Sequence, residues 1–100
     1  MEVKITTQGD ETIVHFIGRL DTPASIGVAQ ELQPVQEKAG GTIILDCEEL
    51  SYISSSGLRI FLTIRKEAAV KGGKVIVRNI NDNIRSVFMM TGFLNLFVIE

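Results

Sequence analysis

One hundred residues, 45% hydrophobic and 22% charged, describe a single globular domain (residues 1–100) able to bury a core without disulfides or metal. The formal net charge of -2 removes the electrostatic case for nucleic acid, and every apolar run is too short to span a bilayer. The lone cysteine, Cys47, excludes an internal disulfide; with no leader ahead of the first strand, a cytoplasmic protein without direct membrane insertion is expected.

Glu2 to Thr7 alternates polar and apolar, with Val3 and Ile5 on one face, as in a half-buried strand. Gln8-Gly9-Asp10 supplies turn residues before a second strand, Thr12 to Ile17, so the pair predicts an antiparallel hairpin. His15 lies in that second strand with no other ligand or nucleophile nearby, and reads as structural. Asp21 or Thr22 then caps a helix whose first turn accepts Pro23. Ala24, Val28, Leu32, Val35 and Ala39 make one buried stripe along it. Pro34 predicts a kink between Gln30 and Pro34 within one continuing helix, which Gly40-Gly41 stops.

Thr42 to Asp46 is a continuous apolar run, expected as a central strand covered on both faces, with Cys47 a buried inert thiol at its end. Asp46, Glu48 and Glu49 then read as an acidic surface turn leading to Ser54-Ser55-Ser56. A helix follows, with Leu58, Phe61, Leu62 and Ala69 inward, Ile64 and Ala68 widening that face, and Arg59, Lys66 and Glu67 solvated. Gly72-Gly73 closes it, and Lys74 to Arg78 returns as a parallel strand. Asn81 or Asp82 caps a third helix through Met90, with Ile84, Val87 and Phe88 inward and Met89 and Met90 read as packing at its end. Leu96 to Ile99 is the last strand. The outcome is an α/β fold of ββαβαβαβ order, a small mixed sheet packed with helices.

Chemistry concentrates at the serines. Hydroxyls between a strand and a helix sit where unpaired N–H groups and the positive end of a helix dipole collect, which favours an anion or a partner. Catalysis has little support. There is no phosphate-cradling Gly-rich loop, no cluster of metal ligands, and no base placed beside a serine nucleophile, so neither cofactor nor metal is expected. One of the three serines is needed as the helix cap, and capping does not account for all three. Gly57 implies a tight turn or a close approach of backbone to another element.

Three segments in register, Gly18-Arg19-Leu20-Asp21, Leu50 through Leu58, and Val87 through Phe93, resemble the STAS domain family, above all its bacterial anti-sigma factor antagonists. In that family the loop usually reads Asp-Ser-Ser-Gly, and the serine after the Asp is phosphorylated. Aligned on Gly57, the resemblance implies Ser55 as phosphoacceptor, Ser56 after it, and Ser54 in the place of the Asp. It implies a partner surface of Asp21, Thr22, Ser54, Ser55, Ser56, Gly57 and Arg59. The implied partners are an anti-sigma factor with serine-kinase activity, bound until Ser55 is phosphorylated, and a serine phosphatase that restores binding. The second function the resemblance allows is a subunit of a lipid or anion transport system that contacts its partner without phosphorylation. Many relatives carry a helix after the last strand, and its absence leaves surface that a second copy, in a homodimer, could cover.

Overall fold

The first two strands form the hairpin that their alternation predicts. In the computed structural model, which describes residues 1–100, β1 (Glu2–Gln8) pairs antiparallel with β2 (Glu11–Leu20). Strands β3 (Thr42–Ile53), β4 (Lys74–Arg78) and β5 (Val98–Ile99) add in chain order, each parallel to the one before, so the sheet runs β1-β2-β3-β4-β5. The crossovers hold α1 (Thr22–Glu31), α2 (Gln33–Glu37), α3 (Ser55–Lys71) and α4 (Asp82–Thr91), with a 3₁₀ turn (Phe93–Asn95) before β5. Right-handed crossovers advancing in one direction put every helix on the same face of a sheet. One core cluster accordingly draws residues from β2, β3, β4 and all four helices, while the other face stays open. No helix is long and apolar enough to cross a membrane.

Pro34 does more than kink a helix. The chain breaks at Leu32, and Pro34 falls in the first turn of α2, where its missing N–H leaves nothing unpaired. The apolar stripe survives because Leu32 bridges the break: its N–H bonds the Val28 carbonyl at 3.0 Å and its carbonyl accepts from Val35 at 3.0 Å. Val28, Leu32, Val35 and Ala39 are buried, but Ser25 rather than Ala24 takes the remaining inward position.

The largest departure is in β3. It continues for 12 residues, so Asp46, Glu48 and Glu49 belong to a strand and not to an acidic turn. Pairing with β2 slips between His15 and Ile17 and again between Gly18 and Arg19. Such bulges break the two-residue alternation by which a strand is recognised. Nor is β3 covered on both faces. Ile44 lies on the helix-free face in register with Ile13 and Ile76, and this row of isoleucines shields itself, leaving Ile44 1% exposed.

Smaller corrections follow from helix phase and from edges. On α3 the buried residues include Ile60 and Ala68, while Ala69 faces solvent. Met89 and Met90 are 65% and 81% exposed instead of packed, although Ile84 and Phe88 of the same helix are buried. Ile5 is exposed because β1 is an edge strand, and β5 is reduced to two residues by the 3₁₀ turn before it.

What fixes α3, whose start carries the serines, is aromatic packing. The Phe61 ring lies 5.1 Å from Phe16 of β2, 6.1 Å from Phe88 of α4 and 6.4 Å from Phe97. Ring pairs in this range add about 0.5–1.5 kcal/mol each beyond the area they bury. The helix is therefore seated on the sheet one turn and a half past its N-terminus, and the serine corner has a rigid base.

Cys47 is buried, and burial first, then the neighbouring Asp46 carboxylate, pushes its thiol from 9.0 up to about 12. Above pH 9 the unfolded chain loses this proton while the folded chain keeps it. Unfolding then releases a proton, so stability falls as pH rises, by up to roughly 1.4 kcal/mol per pH unit until about 12. Urea denaturation between pH 8 and 10.5 should show this slope in the native protein and a shallower one in Cys47→Ala. Equal slopes would place the thiol outside the core.

Candidate functional site

Three helix starts collect at one edge of the sheet, because β2, β3 and β4 are parallel and each runs directly into a helix. Each start is capped by the side chain just before it. Asp21 Oδ1 accepts from the Ala24 N–H at 2.9 Å, Ser54 Oγ from Gly57 at 3.2 Å, and Asn81 Oδ1 from Ile84 at 2.9 Å. Each such cap is worth about 1 kcal/mol. Asp21 and not Thr22, and Asn81 and not Asp82, therefore hold these positions. The corners are also tied to one another. The Ser54 N–H donates to the Leu20 carbonyl at 2.9 Å, and Asn81 Nδ2 donates to the Leu50 carbonyl at 2.8 Å.

This geometry separates the three serines. Ser54 is buried, 8% exposed, and is committed to the cap. Ser55 is the first residue of α3, exposed, with a hydroxyl that makes no hydrogen bond within the protein. Ser56 is half-buried. Sequence established that one of the three would cap; only the extended backbone of Ser54 (φ -88°, ψ 172°) identifies which.

Gly57 is required by space. A Cβ there would stand 2.8 Å from Leu20 Cγ and 2.9 Å from Ile53 Cγ1, inside contact distance of two buried side chains. The first turn of α3 thus lies directly against the ends of β2 and β3. Gly57→Ala is expected to cost about 1–3 kcal/mol through this overpacking, visible as a lower midpoint in urea. An unchanged midpoint would mean that Leu20 and Ile53 can yield.

Around the corner stand Asp21, half-buried, and Thr22 and Arg59, both exposed. The fold thus brings together the seven residues singled out for a partner, although each comes from one of two segments more than thirty residues apart. The Arg59 guanidinium makes neither an ion pair nor a hydrogen bond; the Thr63 hydroxyl donates to the Arg59 backbone carbonyl and leaves the side chain untouched. Two features escaped sequence reading because both cross between strands. Arg19 stacks over the Tyr52 ring at 4.3 Å, beside the serine corner, where the bulge at Gly18 turns the end of β2. His15 Nδ1 lies 3.3 Å from Asp46 Oδ2 on the open sheet face, in a cavity of about 240 Å³ that none of the serines lines. The register pairing His15 with Asp46 was the signal, and it becomes readable only once β3 is known to run parallel to β2.

Chemically the corner can present the hydroxyls of Thr22, Ser55 and Ser56, none of them hydrogen-bonded within the protein, dipole ends and the unengaged Arg59 guanidinium; no group of three or more His, Cys, Asp or Glu side chains is placed to hold a metal. The family model described as STAS domain matches residues 2–100. BtrV of Bordetella bronchiseptica, whose name places it among anti-sigma factor antagonists, is 34% identical over 67% of this chain, an alignment spanning 58% of that protein. The anti-sigma-B factor antagonist of Bacillus subtilis is 22% identical over 100% of the chain and 91% of its own length. Among solved structures, the Bacillus cell fate determinant SpoIIAA in its phosphorylated form superimposes with a TM-score of 0.75 at 22% identity, covering 99% of this chain and 91% of that one.

Proposed function

The chain belongs to the STAS domain family, and from that premise we propose that it is an anti-sigma factor antagonist switched by phosphorylation of Ser55. In this reading the unmodified domain binds an anti-sigma factor that is also a serine kinase and so releases a sigma factor. Phosphorylation breaks the complex, and a serine phosphatase restores it. The domain acts as a binding module and a kinase substrate, with Asp21, Thr22, Ser54, Ser56, Gly57 and Arg59 bordering the contact around Ser55.

The observation that carries this reading is the division of labour between neighbouring serines. Because Ser54 caps α3, the exposed Ser55 hydroxyl is available for modification without loss of the cap. A phosphate there adds roughly -1.5 to -2 charges at a helix N-terminus, an environment that favours an anion. The modified domain therefore keeps its fold, and only what its surface offers a partner is altered. That a relative's structure is described in a phosphorylated form supports a modification within the fold family.

The test is to incubate the domain with ATP and the anti-sigma factor kinase of the same genome, then to locate the phosphate by mass spectrometry. Modification of Ser55 is the expected result. A phosphate on Ser54 or Ser56 instead, or none, would overturn the assignment.

A further inference from the structure

We propose that Arg59 is the intramolecular partner of a phosphate on Ser55, closing on it as a clamp; this deepens the switch above and rests on Ser55 being the residue modified. Both residues are exposed on α3 and stand four positions apart, so they share one helix face with Cβ atoms about 5–6 Å from each other. The anion lies N-terminal to the cation, which is the favourable order along a helix. The guanidinium is free of other partners, and its planar fork matches the oxygens of a phosphate two at a time.

The other charged groups at this edge shape the choice. Asp21, at the start of α1, carries a carboxylate that repels a phosphate from the β2 side. Arg19, at the end of β2, is already stacked on Tyr52. On the first turns of α4 the exposed Asp82 and Arg85 carry opposite charges, and neither lies on the helix that bears Ser55. On α3 the unoccupied cation one turn from Ser55 is Arg59; Lys66 is also free but stands eleven residues from Ser55, and Arg65 and Lys71 are held by the Leu96 and Gln36 carbonyls.

Modification then changes two things together. It adds the dianion, and it withdraws from the partner the free guanidinium that α3 presents one turn from Ser55. A clamped phosphate also lies along α3 instead of projecting from it.

The experiment installs phosphoserine at position 55 of the full chain during translation, so that neither kinase nor partner is needed. Phosphorus NMR then follows the second ionisation of the phosphate, ordinarily near 6. In Arg59→Gln its midpoint should rise by about 0.4 pH unit relative to the unsubstituted chain, since the cation no longer favours the dianion. The difference should shrink in 1 M salt, and Arg19→Gln should leave the midpoint in place. Identical titrations with and without Arg59, or a larger shift in Arg19→Gln, would overturn the clamp. The proposed switch fails separately, if the phosphorylated chain binds the anti-sigma factor as well as the unmodified one.

Discussion

Phosphoserine at position 55 is expected to weaken the complex with the anti-sigma factor a few hundredfold, with the fold unchanged. The magnitude follows from where the charge must go. Ser55 is exposed in the free domain, so the phosphate is hydrated there and costs the isolated protein little. Inside an interface the same group gives up its water. A penalty of about 3–4 kcal/mol, within the several kcal/mol typical for a desolvated ion, corresponds to a few hundredfold in Kd. Ser55→Asp carries a smaller charge and should fall between, while Ser55→Ala should bind like the unmodified protein. Calorimetric titration of the anti-sigma factor with the four proteins would show this ranking. Equal affinities across the set would exclude Ser55 as the switch, and a loss in Ser55→Ala alone would make the hydroxyl a binding contact instead.

The second large effect is structural and lies at the opposite end of α3. Gly73→Ala should destabilise the domain by roughly 3 kcal/mol, at the upper end of overpacking costs. A Cβ on Gly73 would overlap the Ala39 carbonyl oxygen and approach that of Gly41 to 2.6 Å, and these are backbone atoms that cannot rotate away. Both belong to the segment leading into β3, and the Gly41 carbonyl also accepts the Lys74 N–H at 3.0 Å to begin β4. Relief of the collision would pull apart the starts of two central strands. At about 4–8 °C per kcal/mol for a domain of this size, the melting temperature should drop by some 12–24 °C. The neighbouring Gly72→Ala is the control. Gly72 is left-handed (φ 76°) with open space around it, so its substitution carries only backbone strain, about 1 kcal/mol. If the two variants melt together, crowding at Gly73 is not what the structure makes it.

These two glycines show where sequence is readable and where it is not. Gly72-Gly73 announced the end of a helix, and that was correct; that the first serves conformation and the second serves space depends on a segment thirty residues away. The same limit runs through the chain. Hairpin, helices and parallel crossovers follow local periods and caps, and these are printed in consecutive residues. The extension of β3 through Glu48 and Tyr52 was hidden because its pairing with β2 slips at bulges, and pairing is a property of two strands. At the proposed site, the placement of the serines between a strand and a helix was legible from motif and resemblance. Arg19 on Tyr52 and His15 beside Asp46 were not, since both contacts depend on register across the sheet.

The cap on α3 has a wider consequence. Aspartate and serine are about equally good at starting a helix, so the difference between this chain's Ser54 and the acidic residue usual at that place leaves the architecture of the corner intact. What differs is its resting polarity: here the position is held by a neutral group. Under the proposed switch, the electrostatic background that a phosphate on Ser55 would meet is thus set by one residue whose mechanical duty is the same in either form.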